Sequence, residues 1–249
     1  MENNQLDYKS SFKVVLDSFL TALKYLFKNV KNFATYLQFY FIQLFATLLF
    51  PLAPLACKAN YGVVEKIMNN EEYELLSQYK GINGLKRYAR FYLLQVVQGV
   101  FMTGFVVAVL VVLAPVMLLI TTQDTVVLVS IIVALCSTLA VLVVTSLMYS
   151  ANYVYVNEDL GLADIISKSI ENGKHKVKEI VLSNVLLYVL MVILFIIPTV
   201  LVITGVNEFE TILVGIGSVL GIALLPVIDL TSKLVQIQLI KQASKKEVE

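Results

Sequence analysis

Charge is what this sequence has least of. Charged side chains make up 15% of 249 residues, against about 25% in ordinary globular domains, while 58% of positions are hydrophobic. A soluble fold of this length would have to expose much of its apolar surface, which soluble monomers avoid, so a lipid-facing exterior is the economical expectation. There is a single histidine, His175, and no HExxH pattern, which leaves no metal triad or Ser/His arrangement for hydrolysis. Neither GxxxxGK[ST] nor GxGxxG occurs, so nucleotide binding is not expected. The two cysteines, Cys57 and Cys136, sit at the end of one apolar run and inside another, a placement that fits buried packing and no disulfide framework. Net charge is +1, too little for a nucleic-acid partner. No catalytic residue, metal or cofactor is expected, and no cleavable signal peptide either, since the first long apolar run begins near Phe33.

What charge there is lies in clusters. All 19 lysines and arginines fall within 9 to 31, 58 to 90, 168 to 178 and 233 to 246. Between them run apolar stretches long enough for the ~20 helical residues that a hydrocarbon core demands. The expected fold class is therefore all-α, a polytopic transmembrane helical bundle of four to five spans with amphipathic interfacial helices, forming one membrane domain over 1–249. Expected membrane segments are 33–57, 92–120, 126–150, 180–203 and 211–232, with connectors at 58–90 and 151–178. The continuous runs lack the in/out alternation of a transmembrane barrel, and backbone satisfaction in lipid overrides the helix penalty of their many Val and Ile residues.

Over 12–31, Phe12, Val15, Leu16, Phe19, Leu23 and Phe27 recur at intervals of three and four, with the lysines mostly elsewhere on the wheel. This predicts an amphipathic helix, either lying in the membrane interface or docked on the protein's own helices. The links 121–125 and 205–210 carry acids and no base, so the positive-inside rule puts them outside. The two connectors and the C-terminus are then cytoplasmic. The five N-terminal lysines conflict with that scheme if 33–57 crosses. Two arrangements remain: a first helix inserted against its flanking charge, or a re-entrant segment bent at Pro51 and Pro54. A weak internal repeat sets Asp17 over Asp164, Val30 over Val177, Lys31 over Lys178 and Pro51 over Pro198. It fits an inverted repeat if the N-terminus is outside, and equally fits shared membrane grammar.

Two stretches carry a family likeness. One is Asn60-Tyr61-Gly62 to Glu71-Glu72, with Gly81 and Gly84. The other is Tyr149-Ser150-Ala151-Asn152-Tyr153, then Asn157-Glu158-Asp159, Ile166, Ser169 and Gly173-Lys174-His175-Lys176. Together they resemble a group of uncharacterised bacterial polytopic membrane proteins, similar to the membrane domain fused to some glycerophosphodiester phosphodiesterases. The resemblance implies a multi-pass protein of the bacterial plasma membrane with no catalytic site to carry over.

Candidate sites are few. Asp229 is the ionisable residue nearest the hydrocarbon, and Lys233 one turn later can pair with it; the pair is read as an interfacial ion pair or a transport coupling site. Gly217 with Gly221, and Gly104 with Ala108, give small-residue faces for close helix packing, and Gln38, Gln43, Gln95, Gln98 and Asn184 can bond across helices. These features point to a non-enzymatic accessory or scaffold protein that assembles with another membrane protein or as a homo-oligomer. The alternatives are a small secondary transporter or channel-like protein, or a lipid-interacting protein whose basic, tyrosine-rich cytoplasmic face meets the bilayer headgroups.

Overall fold

The computed structural model describes residues 10–80, 84–118, 133–134, 136–138, 141–174, 176–207 and 211–244. Its helices are α1 (Ser11–Leu26), α2 (Val30–Leu48), α3 (Ala53–Met68), α4 (Leu85–Leu118), α5 (Ala151–Asn157), α6 (Leu162–Lys174), α7 (Val177–Asn207) and α8 (Thr211–Ser244), with 3-10 turns at Phe50–Leu52 and Leu76–Tyr79. No strand occurs among the described residues, and the fold is all-α. Four stretches are long and apolar enough to cross a membrane: Leu85–Ala108, Cys136–Asn157, Val177–Val206 and Thr211–Ala243.

The expected segment 33–57 is not one helix. α2 stops at Leu48, Leu49 is extended, and α3 begins at Ala53 after the 3-10 turn. Pro51 and Pro54 lack the N–H that would continue α2, and each stands in the first turn of a new helix, where none is required. α3 then packs back along α2: the buried Gln43 donates from Nε2 to the carbonyl of Ala56 at 2.6 Å and accepts at Oε1 from the hydroxyl of Tyr79 at 3.1 Å. The result is a helical hairpin with an apolar tip, where Phe45, Leu48, Leu49 and Leu52 are exposed.

The other long helices overrun the expected segments. At 34 residues each, α4 and α8 are about 51 Å long, and the 31 residues of α7 give about 46 Å, against a hydrocarbon core of roughly 30 Å. Their polar ends lie in the expected connectors and C-terminal tail, yet a helix once nucleated extends through them readily.

The chain forms two compact units. The first holds α1–α3 and Leu182–Gln242 of α7 and α8; the second holds α4–α6 and the start of α7 up to Val181. In the first, α8 divides at Pro226. Before it Ile212, Ile216 and Val219 are exposed; after it Leu230, Leu234, Val235 and Ile237 are fully buried. Its partners pass from α2 (Tyr36, Phe39) to α3 (Tyr61, Glu65) as it advances, so the C-terminal half of α8 crosses the hairpin and supplies its core. α1 opens with Ser10 as N-cap, and α2 with Asn29, whose side chain accepts from the amide of Asn32 at 2.7 Å.

In the second unit α6 buries Ile165, Ser169, Asn172 and Gly173. A Cβ on Gly173 would lie 2.5 Å from the Ser146 carbonyl oxygen and 2.7 Å from Leu147 Cα, so only glycine lets these backbones meet. Ser169 accepts from Ser150, which accepts in turn from Asn172. Arg90 reaches the far end of α5, donating to Asp159 at 3.0 Å and the Leu160 carbonyl at 2.9 Å, while Arg87 donates to the Val156 carbonyl. Guanidinium groups beside the last carbonyls of a helix satisfy orphan acceptors and favour its dipole.

Candidate functional site

Three places collect the residues with chemical potential, and two are those the sequence singles out. At the first, Lys233 Nζ stands 2.6 Å from Asp229 Oδ2, and the same oxygen accepts from the Tyr36 hydroxyl at 2.9 Å. Lys233 also lies 5.4 Å from the centre of the Phe39 ring, a cation–π distance. Asp229 is 18 residues beyond Thr211, about 27 Å along α8, close to one hydrocarbon thickness. An ion pair with a second hydrogen bond, from Tyr36, and an aromatic cover balances its own charge, so it locks α8 to α2. Spacing on α8 gave Lys233; nothing local could give Tyr36, 193 residues away.

At the second, the two small-residue faces part company. Gly217 is used within the chain: a Cβ there would sit 2.8 Å from the Pro198 carbonyl oxygen and from Val202 Cγ2, so α7 and α8 touch backbone to backbone. Gly221 meets Phe195 and Pro198 at an ordinary 3.9 Å. Among the described residues Gly104 and Gly99 have nothing within 4 Å of a built Cβ, and both are exposed, as is Ala108. Of the amides, Gln43 bonds across the α2–α3 hairpin and Gln95 donates to Asn152 Oδ1 at 3.0 Å. Cys57 and Cys136 are free thiols. His175 lies outside the described residues, and among those described no three His, Cys, Asp or Glu side chains gather to hold a metal ion.

The third place was not legible in the sequence. A cavity of about 490 Å³ opens at the base of the hairpin, opposite its apolar tip. One wall, from α1 and the start of α2, carries Lys24, Lys28 and Lys31; the other, after α3, carries Glu71 and Glu72. Tyr25 and Tyr73 are neighbours in its lining, and burial raises the pKa of both phenols, so they stay neutral. Asn32 ties the corner by donating to the Tyr25 carbonyl at 3.0 Å. The lysines appear in sequence as a polar helix face; only the return of α3 brings the acidic wall to them.

α1 above this cavity has two working faces. Val14, Ser18, Ala22 and Leu26 are buried against the protein, whereas Phe12, Leu16, Leu20 and Phe27 form an exposed apolar stripe. The two arrangements considered for 12–31 therefore share one helix, which is docked on one side and open on another.

No family model, curated protein or solved structure matches this chain.

Proposed function

We propose that this chain is a non-catalytic accessory or scaffold protein of the bacterial plasma membrane, assembling through α4 with another membrane protein or with itself. The observation that carries this reading is the open face of α4. Among the described residues nothing lies within 4 Å of a Cβ built on Gly99 or Gly104, Ala108 is exposed, and 11% of the apolar window in Leu85–Ala108 is buried. Glycine in a helix costs about 0.5–1 kcal/mol relative to alanine, which an approaching helix repays and lipid does not. The bacterial membrane follows from the likeness to bacterial polytopic proteins, which enters here as part of the proposal.

The bent hairpin supports a topology of four crossings. With its apolar tip dipped into one leaflet and its charged base in water, 33–57 returns to the side it left. All four basic clusters then share the cytoplasmic face, as the positive-inside rule asks, and both termini lie there. The repeat seen at Val30 and Val177, where α2 and α7 begin, then enters from one side and is not inverted.

Purification in mild detergent tests the assembly. The wild type is expected as a homo-oligomer or with a stoichiometric membrane partner, and Gly104→Leu as a folded monomer. A wild type that is monomeric under those conditions, and indifferent to Gly104→Leu, removes the proposal.

A further inference from the structure

We propose that the cavity at the base of the α2–α3 hairpin binds an aminoalkyl phosphate, the chemistry of an ethanolamine-type phospholipid headgroup. The cavity carries both signs of charge. Lys24, Lys28 and Lys31 stand on one wall and Glu71 and Glu72 on the other. Among the described residues, none of these lysines comes within ion-pair distance of either glutamate. Opposite charges are thus held apart across about 490 Å³, a volume in the range of small-molecule sites, roughly 300–1,000 Å³. A simple anion placed between them is repelled by the glutamates and a simple amine by the lysines. A ligand carrying phosphate at one end and ammonium at the other satisfies both walls at once.

Neutral donors complete the phosphate end. Thr35 and Asn32 line the cavity beside the lysines, while the Thr21 hydroxyl is spent on the Asp17 carbonyl; the Tyr73 hydroxyl, next to Glu72 in sequence, is buried at the cavity without a hydrogen bond of good geometry to the protein. Its neighbour Tyr25 is the nearest phenol. An acceptor oxygen arriving with a ligand gives that hydroxyl a partner.

The setting points to a lipid as the source. Phe27 is 65% exposed and Val30 84% exposed, and they alternate in sequence with the lining residues Lys28, Asn29 and Lys31. Phe27 stacks on Phe33 with ring centres 5.9 Å apart. With the apolar stripe of α1 sunk into the acyl boundary, as interfacial helices lie, the cavity opens at headgroup depth. The assembly reading and this one are independent: the first lives on α4, the second on α1–α3.

Thermal unfolding of the full chain in detergent, titrated with defined probes, tests the inference. Phosphoethanolamine and short-chain phosphatidylethanolamine are expected to raise the midpoint more than inorganic phosphate, ethanolamine or short-chain phosphatidylglycerol. Tighter binding of the short-chain lipid than of phosphoethanolamine identifies a headgroup as the source, and equal binding a soluble aminoalkyl phosphate. Each of Lys24→Gln, Lys28→Gln and Lys31→Gln is expected to weaken binding about fivefold, with Lys→Arg variants retaining it. The double change Glu71→Gln with Glu72→Gln is expected to abolish the preference for ethanolamine over glycerol headgroups. All five side chains are exposed, so the unliganded midpoint serves as the folding control. Phosphatidylglycerol binding the wild type as well as phosphatidylethanolamine, or binding that ignores the lysine changes, overturns the proposal.

Discussion

Glycines that look alike in sequence have opposite consequences here, because what decides them is the distance to the nearest foreign backbone. At Gly173 a methyl group would lie 2.5 Å from the Ser146 carbonyl oxygen, and backbone cannot step aside as a side-chain tip can. Gly173→Ala is therefore expected to cost about 1–3 kcal/mol through overpacking, read as a lower unfolding midpoint in detergent. Gly104→Ala meets nothing within 4 Å among the described residues, and in the isolated monomer it is expected to be neutral or to stabilise by up to about 1 kcal/mol. Tyrosines divide by burial in the same way. Burial pushes the Tyr79 phenol up to about 12, from an ordinary value near 10. A folded-state pKa above the unfolded one means stability that is intact below about pH 10 and is lost as pH climbs through about 12. Helical circular dichroism against pH should show that alkaline loss. Tyr79→Phe should shift it upward, while losing about 1 kcal/mol at neutral pH with the bond to Gln43.

An element such as α2 shows where the sequence could be read and where it could not. The run from Phe33 to Cys57 is apolar and long enough to cross, and Pro51 and Pro54 announce a break without saying in which direction the chain leaves it. Direction is settled by distant partners: Gln43 meets Ala56 and Tyr79, and Tyr36 meets Asp229. Run length, by contrast, is a local property, and the helices over 92–118, 180–203 and 211–232 were legible from it. Their ends were not, since Lys233, Gln236 and Lys241 read as a polar tail until Phe39, Tyr61 and Glu65 are seen to receive them. The cavity stayed hidden for the same reason, its two walls lying about forty residues apart in sequence. The hairpin itself predicts a gradient of environment. In a background lacking Cys57 and Cys136, Leu48→Cys at the exposed tip should resist a water-soluble maleimide and react with a lipid-phase reagent, whereas Glu72→Cys at the base should do the reverse. Equal aqueous labelling of both would place the tip in water.

For the molecule as a whole, the count of crossings and the placement of lysine are a single problem. Four lysines precede the hairpin and a fifth, Lys31, stands in the first turn of α2, and a chain that crossed at 33–57 would have to carry them across the bilayer. Charge at the bilayer centre costs about 2.5–3.5 kcal/mol per residue even on insertion scales, a cost that the proposed re-entrant hairpin would avoid. The proposed four crossings, an even number, would put the N-terminus on the same side as the C-terminus and as Lys58, Arg87 and Arg90. Single-cysteine tags at residues 1 and 249, probed with an impermeant reagent on intact cells, are therefore expected to be protected together and to react together only after lysis. A tag in the 205–210 link should react from outside without lysis. Labelling of residue 1 on intact cells while residue 249 stays protected would mean an odd number of crossings. It would move α1, its lysines and the cavity they line to the outer face.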